Sequence, residues 1–183
     1  HTPHLVTEFA GHMFPTKVWD HEERLIAHAL KHANIHNQQF GHPKIAGGIG
    51  WCAFDYATHQ EFGSGDRICY HGVMDIFRLP KWAAYFYKSQ QSPTKNIVLQ
   101  AATHWTMGDR SGGGNNPLTV FSNCDEVEVI IGDAQIGRFK PDYANYPHLP
   151  HPPFMIDGLE AFNPWEGMQF YDLHLVGYLN NKR

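Results

Sequence analysis

The sequence divides into two parts with different secondary-structure patterns, and the boundary lies near residues 92–94. Before this boundary, apolar stretches typical of strands alternate with stretches of helical spacing, as in parallel α/β folds. After it, short apolar stretches are separated by turn residues, which is typical of a β-sandwich. The sequence therefore predicts an α/β part over residues 1–92 and an all-β part over residues 93–183.

The α/β part begins with a short apolar stretch, residues 5–7, that ends at Glu8. A loop containing Gly11 follows, and then a capping-box pattern that starts at Asp20. Apolar residues next recur at three- and four-residue steps: Leu25, Ile26, Ala29, Leu30 and Ala33. This spacing predicts an amphipathic helix of about five turns that ends at residues 41–43.

A second strand–helix unit follows the first. Residues 45–55 are almost continuously apolar and rich in Gly, as in a strand buried on both faces. After a long polar loop, residues 81–90 have the spacing of a helix, and Pro80 suits its first turn. Two such units supply only a quarter of an eight-stranded barrel. We therefore interpret residues 1–92 as the last βαβα units of a TIM barrel whose natural N-terminus lies further upstream.

The all-β part contains short strand candidates at residues 97–101, 118–122, 127–131, 135–139 and 170–178. Gly132-Asp133 makes two of them a hairpin. Residues 141–153 hold five prolines and are expected to form an extended connection. Because a seven-stranded immunoglobulin-like sandwich needs about 100 residues, we expect residues 93–183 to form such a sandwich that is truncated at its C-terminal end.

Charge and hydropathy exclude two classes of partner. The formal net charge is −4 and no basic stripe is present, which argues against nucleic acid. No apolar run approaches the roughly 20 residues needed to span a bilayer. Cys52, Cys69 and Cys124 lack paired spacing, so we interpret them as buried reduced thiols. We therefore expect neither a nucleic acid nor a membrane as partner.

Two positions suggest a functional site. Glu8 stands where a strand ends, and the catalytic side chains of a barrel project from the C-terminal ends of its strands. Trp51 lies near the end of the next strand, and neighbouring strand ends open into one pocket. A sugar-binding site needs at least a carboxylate and a neighbouring aromatic ring on which the sugar can stack. The structural alternatives are an ion pair for Glu8 and core packing for Trp51.

Four segments of the chain resemble glycoside hydrolase family 2, in the order found in that family. Residues 5–17 (LVTEFAGHMFPTK) resemble its nucleophile segment, and residues 45–59 (IAGGIGWCAFDYATH) resemble its eighth barrel strand and the loop that follows. Residues 72–90 (GVMDIFRLPKWAAYFYKSQ) resemble its closing segment and last helix. Residues 122–137 (SNCDEVEVIIGDAQIG) resemble the immunoglobulin-like domain that follows the barrel. Together they are most similar to the large β-galactosidase-like members.

The resemblance implies a retaining glycoside hydrolase that cleaves β-glycosidic bonds, β-galactosidic bonds being the favoured case, without a cofactor or a metal ion. Glu8 would be the nucleophile, and Trp51 would line the sugar subsite. His12 would bind a sugar hydroxyl. Asp55 and His59 lie on the loop after the eighth strand and are further candidates for substrate binding.

Retaining hydrolysis needs a second carboxyl group about 5–5.5 Å from the nucleophile. In the family the acid/base Glu follows an Asn, and no Asn-Glu dipeptide is present in this sequence. We therefore expect the missing N-terminal part of the parent enzyme to be a partner of this chain, and the isolated chain to be inactive. Exposed strand edges would favour dimerisation, edge pairing or packing on the sandwich, three outcomes that stay open.

Two other functions stay in consideration. The first is a non-catalytic carbohydrate-binding or interaction module derived from such an enzyme. The second is a metal-binding protein, because His28, His32 and His36 lie four residues apart on one helical face and such pairs can bind zinc or nickel. A solvated or barrel-facing polar stripe explains the same spacing.

Overall fold

A computed structural model describes residues 2–11, 15–61, 65–105, 117–159 and 171–183. These residues form a mixed fold of helices and strands and contain no closed barrel. The elements in chain order are β1 (His4–Phe9), α1 (Glu22–Phe40), β2 (Ile45–Gly50), β3 (Tyr56–Ala57), β4 (Ile68–Cys69), α2 (Trp82–Ser89), β5 (Leu99–Ala101), β6 (Leu118–Ser122), β7 (Glu126–Ile131), β8 (Ala134–Phe139), β9 (Phe154–Ile156) and β10 (Leu173–Tyr178). Neither α1 nor α2 is both long and apolar enough to cross a bilayer.

The first unit is a parallel pair of strands, β1 and β2, connected by α1. The 19 residues of α1 confirm the predicted length, and the predicted stripe of Leu25, Ala29 and Ala33 is buried. The prediction that Asp20 caps this helix is wrong, because the helix begins at Glu22. The Asp20 carboxylate instead accepts a hydrogen bond of 2.7 Å from the backbone of Lys17. Short acidic side chains often bond to nearby backbone in this way.

The second strand is shorter and more exposed than the sequence predicts. It ends at Gly50 rather than near residue 55, and its residues are half-buried or exposed rather than buried on both faces. Within the described residues, β1 covers one edge of β2 and α1 packs against it. Leu5 and Ile49 are 56% and 55% exposed, so apolar side chains of this sheet lie at the surface.

The segment between β2 and α2 folds back on the end of β2. Strands β3 and β4 form a short antiparallel hairpin where the sequence predicts a loop. The backbone of Val73 donates to Cys52 at 2.9 Å, and that of Met74 donates to Ala53 at 3.0 Å. Lys81, just before α2, then donates its backbone N–H to Val73 at 3.0 Å. These bonds fix the start of α2 to the residues that follow β2.

The all-β part consists of two three-stranded antiparallel sheets, ordered β5–β6–β9 and β10–β7–β8. Strands β5, β6, β7, β8 and β10 lie at the predicted positions, whereas β9 was not predicted. Gly132 forms the predicted turn between β7 and β8, and its φ of 57° is one that Gly adopts without strain. Both sheets contribute to one core: Leu118, Val120, Val127, Val129, Ile131, Phe154, Ile156 and Leu159.

Strand β6 is buried on both faces and joins the two parts of the chain. Val120 lies in the core between the two sheets, whereas Phe121 lies in the core formed with α1 and α2. The rings of Phe121 and Phe86 are 6.2 Å apart, in an edge-to-face arrangement. The Glu22 carboxylate adds a polar contact, because it accepts a hydrogen bond of 2.7 Å from the backbone of His104. The helices and the sheets therefore pack as one body along β6.

Candidate active site

The candidate site lies where the two parallel strands end. Phe9, the last residue of β1, pairs with Gly50, the last residue of β2. The backbone of Trp51 continues this pairing by donating a 2.7 Å hydrogen bond to Phe9. Parallel strands end on the same side of a sheet, so residues that follow them become neighbours. The structure thus brings the ends carrying Glu8 and Trp51 together.

Glu8 and Trp51 converge at Gly11. A Cβ added to Gly11 would lie 3.0 Å from Oε1 of Glu8 and 3.3 Å from Cδ1 of Trp51. Glu8 is exposed, and Trp51 is 38% exposed. The absence of a side chain at Gly11 leaves the carboxylate and the indole beside each other and open to solvent. The sequence predicts that these two side chains are neighbours, and their use as a sugar site stays a prediction.

Tyr56 supports Trp51 from the side of the hairpin. The two rings are 6.1 Å apart and nearly perpendicular, an arrangement that aromatic pairs prefer. Tyr56 opens β3 and is paired with Cys69 of β4. Burial, and then a hydrogen bond with Cys69, raise the pKa of Tyr56 to about 12. The phenol therefore keeps its proton at neutral pH and can donate a hydrogen bond.

Asp55 lies below this surface, in a buried ion pair. Its Oδ1 accepts hydrogen bonds from Nζ of Lys81 at 2.7 Å and from the backbone of Gly72 at 2.9 Å. The two charged side chains are 2% and 0% exposed. Burial raises the pKa of Asp55 and lowers that of Lys81. A sugar contact by Asp55 stays a prediction, and this burial argues against it.

The two predicted histidines differ in what the structure describes of them. His12 lies outside the described residues. His59 lies beyond β3, is exposed, and its Nδ1 accepts a 3.3 Å hydrogen bond from the backbone of Glu61. A role of either histidine in binding sugar stays a prediction.

One rim of the site is formed by the loop after β1 and the hairpin. Lys17 lies 3.8 Å from Asp66 and has its ammonium 4.7 Å from the centre of the Tyr70 ring. The Tyr70 hydroxyl donates a short 2.5 Å bond to Asp66. This bond is the main cause that raises the pKa of Tyr70 to about 12 and lowers that of Asp66. These contacts connect the loop after β1 to the hairpin, and the Tyr70 ring itself is buried.

None of the three cysteines forms a disulfide: Cys69 and Cys124 are buried, as the sequence predicts, whereas Cys52 is only half-buried. Cys69 is buried, and its Sγ lies 2.6 Å from Nδ1 of His71. Cys52 follows Trp51, and burial is the main cause that raises its pKa to about 11. A thiol with a raised pKa is a poor nucleophile at neutral pH. The catalytic role of Glu8 stays a prediction.

The histidine stripe of α1 lies inside the protein, against β1, β2 and α2. Nδ1 of His32 is 2.9 Å from the Tyr87 hydroxyl, and Nε2 of His36 is 3.1 Å from the same atom. Phe9 packs on both rings at 5.6 and 5.1 Å. This agrees with the barrel-facing alternative and not with a solvated stripe. Among the described residues, no group of three or more His, Cys, Asp or Glu side chains is arranged to hold a metal ion.

The sequence does not indicate the roles of two residues of this region, Lys81 and Gly11. Lys81 is not among the residues that the sequence predicts for the site, although it forms a buried ion pair with Asp55. Gly11 was noted only as a loop residue, although it sets the approach of Glu8 to Trp51. The Pro-Lys step before α2 could have indicated a fixed lysine at the helix start, but no local pattern identifies the carboxylate 26 residues away.

The chain is similar to β-galactosidases, although no family model matches it. It is 49% identical to the β-galactosidase of Thermoanaerobacterium thermosulfurigenes over 186 aligned positions, which cover 99% of this chain and 26% of that protein. It is 39% identical to the β-galactosidase of Rhizobium meliloti, covering 98% of this chain and 24% of that protein. The chain therefore spans about a quarter of the length of these relatives.

A solved structure is similar to this fold at lower sequence identity. The β-glucuronidase of Parabacteroides merdae superimposes with a TM-score of 0.63 and 17% identity, covering 96% of this chain and 24% of that enzyme. At 17% identity, this similarity shows a similar fold and carries no information about activity.

Proposed function

Because this chain belongs to the β-galactosidase-like group of glycoside hydrolase family 2, we propose that it forms part of a retaining β-glycosidase in which Glu8 is the nucleophile. β-Galactosidic bonds are the favoured substrate, since both β-galactosidases compared align over almost the whole chain. The observation that carries the proposal is the convergence of Glu8 and Trp51 at Gly11.

In this mechanism the Glu8 carboxylate attacks the anomeric carbon and forms a glycosyl-enzyme, and the leaving oxygen takes a proton from a second carboxyl group. Water then attacks the anomeric carbon, the bond from this carbon to Glu8 breaks and releases the carboxylate, and the second carboxylate accepts the proton of the water. An exposed carboxylate such as that of Glu8 suits the first role, because it is open to the sugar. The indole of Trp51 offers an apolar face on which a pyranose ring can stack.

The acid/base carboxyl group is proposed to come from the rest of the parent enzyme. The buried carboxylate of Asp55 is paired with Lys81 and is poorly suited to proton transfer with a sugar. No Asn-Glu dipeptide is present in this sequence. We therefore expect the isolated 183-residue chain to lack useful activity. The upstream part of the parent enzyme is the proposed partner.

We also propose that residues 1–92 are the last strands and helices of a (β/α)8 barrel, and that residues 93–183 are an immunoglobulin-like sandwich. The parallel β1–α1–β2 unit, with candidate residues at its strand ends, supports the first assignment. The strand orders β5–β6–β9 and β10–β7–β8 support the second. They correspond to the A–B–E pairing of one immunoglobulin sheet and to pairing around strand C of the other.

The proposal is tested in the full-length protein by replacing Glu8 with Gln and with Ala. Glu8→Gln should lower kcat for an aryl β-galactoside by about 10³-fold or more, because no glycosyl-enzyme can form. Azide should partly restore the activity of Glu8→Ala by attacking in place of the carboxylate, with release of an α-galactosyl azide. A Glu8→Gln variant with wild-type kcat would rule out Glu8 as the nucleophile, whereas a full-length protein that binds galactosides without turnover would favour a binding module.

A further inference from the structure

We propose that Lys81 and Asp55 form a buried clamp that positions Glu8 and Trp51 relative to each other, an inference that rests on the proposed function of Glu8. The buried clamp is the ion pair of these two side chains together with the backbone oxygens that surround the Lys81 ammonium. Both side chains are buried, so the buried clamp needs no contact of either one with the sugar. They act by holding the loops from which the candidate site is built.

The ammonium of Lys81 joins three separate segments. It donates to the Thr16 carbonyl at 2.5 Å, to Oδ1 of Asp55 at 2.7 Å and to the Tyr70 carbonyl at 3.4 Å. A lysine ammonium has three donors, so these acceptors use all of them. Lys81 itself is only 3% exposed. One side chain at the start of α2 thus fixes three loops at a single point.

Each of these segments leads to a part of the candidate site. Thr16 lies on the loop that leaves β1 after Glu8, and its backbone also donates to Tyr70 at 2.8 Å. Asp55 lies four residues after Trp51, in the segment that leaves β2. Movement of the Thr16 segment relative to the Asp55 segment would therefore alter the approach of the carboxylate to the indole.

Gly72 shows how tightly the Asp55 segment is held. Its backbone donates to Oδ1 of Asp55 at 2.9 Å. A Cβ at Gly72 would overlap the backbone of Phe54 and Asp55, so the two segments approach as closely as backbone allows. The Asp55 backbone also donates to Met74 at 2.9 Å. Backbone contacts therefore hold the Asp55 carboxylate in place independently of its bond to the Lys81 ammonium.

The fact that Asp55 and Lys81 form a buried ion pair indicates that they position the loops and do not only stabilise the fold. Burial of two charges costs desolvation, and apolar pairs of similar volume are often as stable or more stable. An ammonium, however, can hold two carbonyl oxygens and a carboxylate at fixed distances, which an apolar side chain cannot do. Removal of the ion pair should therefore affect geometry even where stability is recovered.

The test uses the full-length protein with Lys81→Met, the double variant Asp55→Leu/Lys81→Met, and Lys88→Met as the matched control. Lys88 is exposed on the same helix. The double variant should recover thermal stability relative to Lys81→Met while its kcat for an aryl β-galactoside stays about 30-fold or more below wild type, because small misplacements of reacting groups are costly. KM should change much less than kcat. Lys88→Met should match the wild type.

Hydrogen exchange of the same proteins, measured by mass spectrometry, provides a readout independent of activity. The double variant should exchange faster in peptides around Thr16 and Asp55, with peptides of the all-β part unchanged. A stable double variant with wild-type kcat and unchanged exchange would overturn the buried clamp. If Glu8→Gln were fully active, the proposed function would fail, whereas the exchange result would still decide whether the clamp holds the two loops.

Discussion

Glu8 and Trp51 lie 43 residues apart in the sequence and meet at Gly11, where an added Cβ would be 3.0 Å from Oε1 of Glu8 and 3.3 Å from Cδ1 of Trp51. Their proximity follows from the parallel pairing of β1 with β2, because the loops after both strands leave the sheet on the same side. Because both side chains approach Gly11 so closely, a larger residue at this position is expected to disturb the candidate site.

Gly11→Ala should impair the site without unfolding the protein. The new methyl group would displace the carboxylate or the indole by a few tenths of an ångström, since both distances are shorter than most Cβ contacts. We expect kcat/KM of the full-length protein to fall by about 10- to 100-fold, because catalysis depends steeply on the placement of the nucleophile. Steady-state kinetics and thermal unfolding of the same preparation measure the two effects separately.

Gly158→Ala is the matched control for this substitution. Gly158 has a φ of 82° and open space around its Cβ position, so Ala there is strained but meets no neighbour. It should cost about 1 kcal/mol of stability and leave kcat/KM unchanged. Equal kinetic effects of the two variants would show that Gly11 acts through stability alone.

Acid should destabilise the fold through the buried histidines of α1. Burial is the main cause that lowers the pKa of His28 to about 2 and that of His32 to about 4. In the unfolded chain both pKa values return to about 6.5, so below that pH the unfolded state binds more protons than the folded state. Stability is therefore complete above about pH 6.5 and is lost as the pH falls, by about 3 kcal/mol for the pair at pH 5.5.

Urea unfolding at pH 7.5 and 5.5 measures this loss. His32→Gln should reduce the pH dependence, because one proton-binding difference is removed. Some dependence should remain, since burial also lowers the pKa of His28, His36 and His151. His174→Gln, at an exposed position of β10, should leave the pH dependence as it is. Asp66 and Glu128 have lowered pKa values and act only at more acidic pH, so they do not obscure this window. The same stability at both pH values would contradict the buried, neutral state of the histidines.

Phe121→Ala should lower the stability of the α/β part and of the all-β part together. Phe121 is fully buried between α2 and the sheets, against Phe86. The substitution should cost about 3–5 kcal/mol, the usual range for a buried Phe. Ile97→Ala, at a position 59% exposed, should change stability by about 0.5 kcal/mol or less. Circular dichroism of the helices and hydrogen exchange of the all-β part should report one transition, and two separate transitions would show that the parts unfold independently.

Much of the secondary structure was predictable because its signals are local. The apolar stripe of α1 and the alternating strands β7 and β8 carry their periodicity in the sequence. β9 was missed, because a strand of three residues after a proline-rich stretch has too few positions to show alternation. The β3–β4 hairpin was missed for the same reason, since each strand has two residues.

The candidate site could be predicted from the sequence only where the order and direction of the strands determine which residues become neighbours. Parallel strands bring their ends together, so Glu8 and Trp51 could be paired from sequence. The buried clamp could not, because the choice of Lys81 as the partner of Asp55 depends on how the loops fold back after β2. Likewise, the spacing of His28, His32 and His36 gives their shared helical face. Their burial follows only once α2 and β1 pack on that face.

Trapping of the glycosyl-enzyme tests the central claim most directly. The full-length protein is incubated with a 2-deoxy-2-fluoro-β-galactoside that carries a good leaving group, digested, and analysed by mass spectrometry. The account predicts one added fluorogalactosyl group, located on Glu8, and none on the Glu8→Gln variant. A label on another carboxylate, or turnover without any trapped intermediate and with Glu8 dispensable, would contradict it.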